Sequence, residues 1–236
     1  MKSMLLAGTV VAMALACVGT AHATAQMADR IELDGTIHRL NVNPLDTWLE
    51  AHPHVTLHRL PGQSDPGMCS ANWRGYLATF TIVDGLLMLD RVVLDACTDG
   101  DPDARTDLVP LLFNGRDAVP VDWFDGVLVV PTGELVEYVH LEYGSLYASY
   151  RLFRVEGGRV TDEARMDDRQ YARYRKAQFA AWQKTDEYRA RYGELVSPKD
   201  KEEPWTPEEA EGFLFAIGPP ATLPFAVPFD VVNAAE

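Results

Sequence analysis

Three groups of residues have the types and spacings that chemistry uses. His140 and Ser145 lie close together in Tyr138-Val139-His140-Leu141-Glu142-Tyr143-Gly144-Ser145, and with a nearby acid they would supply the base, nucleophile and orienting group of a hydrolase. A nucleophile elbow needs glycine two positions after its serine, and Tyr147 stands there. Asp99, Asp101, Asp103 and Asp107 alternate like the carboxylates of a calcium loop, but the sixth and twelfth positions of such a loop are Ala104 and Pro110. A solvated acidic loop is the expectation over residues 99–107, ahead of an irregular calcium site. His52, His54 and His58 form the third group, with His52 and His54 the better metal pair. A further ligand would have to come from His38, His140 or an acid, so surface histidines are expected and no metal or cofactor. Dinucleotide-binding glycine patterns, phosphate-binding loops and zinc-finger spacings do not occur.

The compartment bears on all of this chemistry. Lys2, an apolar run from Leu5 to Val18 and Ala21-His22-Ala23 read as an export leader over residues 1–23, with cleavage before Thr24. A lipoprotein acylated at Cys17 is the minor alternative, since Ala14-Leu15-Ala16 lacks the leucine such a site carries three places upstream. No later stretch approaches the ~20 apolar residues of a spanning helix. The full chain of 236 residues carries a formal charge of −14, which disfavours nucleic acid and anionic membrane surfaces as partners. Cys69 and Cys97 remain after cleavage, and in an oxidising compartment they are expected to pair. They fall near the base of a hairpin turning at Asp84-Gly85, where a bridge would stabilise by about 3 kcal/mol.

The elements that must position these residues are legible as turns and periodicities. Asp34-Gly35 and Asp84-Gly85 predict hairpins, and Pro44 to Leu49 a short helix. Val127–Val130 with Leu135–His140 across Pro131-Thr132-Gly133-Glu134 predicts a third hairpin, and Leu146–Val155 with Arg159–Thr161 across Gly157-Gly158 a fourth. From Asp167 to about Tyr192 there is neither glycine nor proline, and Tyr171, Tyr174, Trp182, Tyr188 and Tyr192 recur at helical spacings. One long helix with a buried aromatic face is expected, its seven Lys or Arg against four Asp or Glu suiting it to an otherwise acidic body. Thr206-Pro207-Glu208-Glu209 is a capping box opening a further helix to about Ile217, stopped by Gly218.

Asn72-Trp73-Arg74-Gly75-Tyr76, Trp123-Phe124-Asp125-Gly126 with Pro131-Thr132-Gly133, and Tyr138 to Tyr147 together resemble a widespread uncharacterised bacterial family with a WRGY … WFxG … YVHxGYGSxY pattern. The resemblance covers about half of the chain after the leader and carries no known activity with it. This chain departs from the pattern at Glu142, where the family has glycine. Physically, Trp73, Trp123 and Tyr138 suit core anchors. Trp123, Tyr138, His140, Tyr143 and Tyr147 are also the candidate lining of a groove.

The sequence therefore predicts an α+β protein. An antiparallel sheet, curled or closed into a partial barrel, occupies residues 24–165, a long C-terminal helix packs on it within 166–218, and 219–236 is an extended tail. The expected role is that of an exported, periplasmic or secreted, non-catalytic binding or interaction protein whose partner is another envelope protein. An envelope hydrolase using the His140/Ser145 region is the alternative.

Overall fold

Two Asp-Gly turns set the first half of the sheet. Asp34 and Gly35, and again Asp84 and Gly85, all take positive φ, the backbone that lets two-residue turns follow the strand twist. The first joins β1 (Asp29–Leu33) to β2 (Thr36–Leu40), and α1 (Pro44–Ala51) follows, with proline in its first turn. The second joins β3 (Tyr76–Val83) to β4 (Leu86–Leu94), whose ladder carries a bulge beside Thr79 and Phe80. Beyond them come α2 (Val109–Leu112), β5 (Val119–Pro120), β6 (Gly126–Pro131), β7 (Leu135–Glu137), β8 (Leu146–Tyr147), β9 (Ser149–Glu156) and β10 (Arg159–Asp167). The helices α3 (Asp168–Trp182), α4 (Asp186–Val196) and α5 (Pro207–Ile217) complete the set. This computed structural model describes residues 25–97, 100–197, 204–219 and 227–233. The leader, its cleavage point, Cys17 and Asp99 lie outside the described residues.

Eight strands form one sheet in the order β2-β1-β3-β4-β10-β9-β6, with β5 beside β4. It is mixed rather than wholly antiparallel, because β1 runs parallel to β3. The sheet is not closed into a barrel. Its two ends nevertheless approach, and the Asn41 amide donates to the Val129 carbonyl at 2.8 Å. The β4–β10 joint is narrow, with Arg159 opposite Leu86 as its only ladder pair among the described residues. There Gly158 lies so close to Val121 that an added Cβ would sit 2.6 Å from its carbonyl oxygen. Curling around this joint wraps both halves about a core containing Ile31, Leu40, Phe80, Leu89, Phe124, Leu128 and Phe153, into which α1 inserts Leu45.

Two further expectations are corrected. The third hairpin does not form: β6 pairs with β9, and β7 pairs with β8 in a separate two-stranded ribbon. The apolar run Val127–Val130 is buried on both faces, a demand that the long strand β9 meets and the exposed segment 135–137 does not. The long helix is two, broken at residues 183–185. The Thr185 hydroxyl donates to the Trp182 carbonyl at 2.7 Å and accepts from the Tyr188 amide at 3.1 Å, ending one helix and capping the next. The break brings the Trp182 and Tyr188 rings edge to face at 5.1 Å.

The outer face of the second half-sheet, with Val127, Tyr150 and Leu152, is covered by α3 and by Phe229 and Val232 of a 3-10 turn at Phe229–Asn233. A further cluster of Phe179, Trp182, Tyr188 and Leu214 joins α3, α4 and α5. Cys69 and Cys97 are bonded, with Cα atoms 6.0 Å apart. No helix among the described residues is long and apolar enough to cross a membrane.

Candidate functional site

The turn before β3 carries a buried arginine. Gly75 takes φ +73°, and the Asn72 amide group donates to the Tyr76 and Asp95 carbonyls at 3.0 and 2.9 Å, fixing this turn to the base of the β3–β4 hairpin. Arg74 is thereby directed inward, with 2% of its side chain exposed. Its guanidinium donates to Asp29 Oδ1 at 3.0 Å and to the Met27 carbonyl at 2.9 Å, and lies over the Tyr76 ring, 4.6 Å from its centroid. Asp29 Oδ1 also accepts from the Ala78 amide at 3.0 Å. A buried pair of this kind is tolerable only with such additional hydrogen bonds, since both ions have left water.

From this pair the polar network reaches outward. The Tyr76 hydroxyl donates to Asp46 Oδ1 at 2.5 Å, and the Tyr143 hydroxyl donates to Asn43 Oδ1 at 2.7 Å. The loop bearing Tyr143 is anchored by the Gln26 amide, which donates to the Glu142 carbonyl at 3.0 Å. Glu142 takes φ +41°, so the position where the resembled pattern has glycine does have backbone that favours glycine. The network thus ties together the segment before β1, the turn before β3, the first turn of α1 and the loop between β7 and β8.

Burial dominates its electrostatics. Asp29 is pushed up to about 6, because loss of water outweighs the pull of Arg74 and of the Ala78 amide. Burial opposes the charge on Arg74 too, but the carboxylates of Asp29 and Asp46 hold it protonated, with its pKa raised. Burial also raises Asp46, against the Tyr76 hydrogen bond, and Glu142, against the Arg74 charge.

Asn43, Asp46, Glu142 and Tyr143 form one end of a cleft of about 750 Å³ between the sheet and the helices. Its floor is Gly126, Val127 and Val129 on β6, and its far wall carries Tyr171, Arg175, Phe179, Phe213 and Phe215. Trp73, 68% exposed, stands in its lining. A smaller hollow of about 390 Å³ lies between β1, β2 and the disulfide, lined by His38, Asp95 and Cys97 among others. The larger cleft alone combines several aromatic rings with carboxylates, and it is the candidate site.

The residues named as a groove fall in several surroundings, with Tyr138 and His140 together. Trp123 packs against Phe113 and Trp48 and donates its indole N–H to the Pro44 carbonyl at 3.0 Å. Tyr138 meets His140 edge-on at 4.6 Å, and Tyr147 meets Tyr150 at 6.2 Å. Tyr143 alone of the five lines the large cleft. Ser145 is engaged with its own loop, its hydroxyl accepting from the Val139 amide at 3.1 Å. Of the acidic loop, Asp103 pairs with Arg30 at 3.2 Å, and Asp107 accepts from the Val92 and Val109 amides. His52 stacks on Trp48 at 4.1 Å, with His54 6.0 Å from it. Among the described residues no three His, Cys, Asp or Glu side chains are placed to share a metal ion.

Arg74, Asp29 and Asp46 were not legible as a site from sequence. Arg74 and Asp29 are separated by 45 positions, and only the Trp73-Arg74-Gly75-Tyr76 motif signals that the turn is special. No family model, no curated protein and no solved structure matches this chain.

Proposed function

We propose that this is an exported, non-catalytic binding protein, periplasmic or secreted, that takes its ligand in the cleft between the sheet and α3–α5. The observation that carries the reading is the cleft itself, whose volume of about 750 Å³ suits a small organic ligand and whose lining mixes aromatic rings with carboxylates, amides and guanidinium groups. Its polar end is held from behind by the Arg74 network, so the groups facing a ligand are positioned before it arrives. Export is supported by the leader-like start of the sequence and by the Cys69–Cys97 disulfide, a bond that persists in oxidising compartments.

A thermal-shift screen of small polar and amphipathic compounds, run on the wild type and on Thr47→Trp, tests the reading. Thr47 lines the cleft from α1, so an indole there occupies the space a ligand would use. Compounds that raise the wild-type Tm are expected to leave the variant unmoved. Equal shifts in both proteins would put the binding elsewhere and overturn the proposal.

A further inference from the structure

Resting on the reading of the cleft as a binding site, we propose that its α1 end holds the ammonium group of a small organic amine, with the amine's apolar body against the aromatic wall. Asn43 stands three and four residues before Asp46 and Thr47, Glu50 stands four and three after them, and all four line the cleft. They form one face of α1 and its cap. The Tyr143–Asn43 hydrogen bond brings Glu142 against that face. Hydrogen-bond acceptors therefore predominate there: the carboxylates of Asp46, Glu50 and Glu142, and Asn41 Oδ1, a buried oxygen with no donor among the described residues.

Of the cationic side chains lining or lying behind the cleft, Arg191 and Arg74 are ion-paired, and Arg175 on α3 keeps its charge while held by neutral carbonyls. Arg191 pairs with Glu187 at 3.2 Å, and Arg175 donates to the Phe215 and Ala216 carbonyls at 2.9 and 3.2 Å. Arg74 lies behind the wall, paired with Asp29. The α1 end is left with a surplus of negative charge in a cleft that the exposed indole of Trp73 also lines, and an indole face attracts cations. An anion would meet carboxylates, and a neutral polyol would leave their charge unmatched. An ammonium group supplies both the donors and the charge. The net charge of −14 draws cations toward the molecule as a whole.

Calorimetric and tryptophan-fluorescence titrations test this with phenethylamine and phenyltrimethylammonium as probes and 2-phenylethanol and phenylacetate as neutral and anionic controls. Phenethylamine is expected to bind one to one, about tenfold or more tighter than 2-phenylethanol. Glu50→Gln and Glu142→Gln, checked for an unchanged Tm, are each expected to weaken the amine by about tenfold while leaving the neutral compound unaffected. Equal affinity for amine and alcohol, both abolished by Thr47→Trp, would overturn the ammonium site and leave the cleft standing. Amine binding that survives Thr47→Trp would overturn the cleft as well. Absence of saturable amine binding to the wild type, or unchanged affinity in both glutamine variants, overturns the ammonium site.

Discussion

The Arg74–Asp29 pair has an electrostatic sign that can be measured. Removing one partner strands the other: Arg74→Met leaves a carboxylate with no exposure at all and should cost about 3–5 kcal/mol at neutral pH in denaturant unfolding. The cost should shrink near pH 5, where Asp29 can take up a proton. For the wild type, a folded-state value of about 6 against an ordinary 3.8 means that the folded chain binds the extra proton between those values. This group's contribution to stability is therefore full below the unfolded value and is lost as pH rises through about 6. Unfolding free energies measured from pH 4 to 7 should fall more steeply in the wild type than in Asp29→Asn, and parallel profiles would contradict the assignment. None of this could be read from the sequence, because the burial that raises Asp29 comes from segments far along the chain. What the sequence does carry is the local signal: Gly75 for a left-handed turn, and aromatic neighbours for burial.

Elements were more legible where their determinants are local. The Asp-Gly hairpins, the Thr206–Glu209 capping box and a helix beginning near Asp167 all stand as their residues predict. The break between α3 and α4 was missed although Thr185-Asp186-Glu187 is a legible N-terminus; unbroken helical propensity across residues 167–192 outweighed it. Thr185→Ala should cost about 1 kcal/mol and lower helicity by circular dichroism, whereas no change would mean that the rings of Trp182 and Tyr188 set the break unaided. The false third hairpin has the opposite cause: Thr132 and Gly133 do not reverse the chain but donate their amides to the Ser149 carbonyl, continuing the pairing of β6, and that pairing was decided by which distant strand could bury both faces of β6. The disulfide closes a separation of 28 residues. Replacing both cysteines by serine should lower stability by about 3–4 kcal/mol, read as a loss of denaturation midpoint relative to the oxidised protein and matched by reduction of the wild type.

At the scale of the molecule, the sequence indicated an α+β protein with a helical end on a curled sheet. The cleft escaped it because its walls come from α1, β6, the loop before β8 and three helices at once. Charge follows the same logic: Asp46, Glu50 and Glu142 line one end of the cleft and make no ion pair among the described residues. Export belongs to this scale too. The proposed export predicts that expression of the full chain in an exporting bacterium yields an envelope or secreted chain beginning at Thr24, and a cytosolic chain with intact Met1 and free Cys69 and Cys97 would contradict it. The most direct test of the cleft is a backbone amide shift map of the labelled protein titrated with phenethylamine. Saturable shifts should concentrate at residues 41–50, 73, 126–129, 142–143 and 171–179. Shifts confined to the β7–β8 ribbon, or to the hollow beside Cys97, would contradict the account.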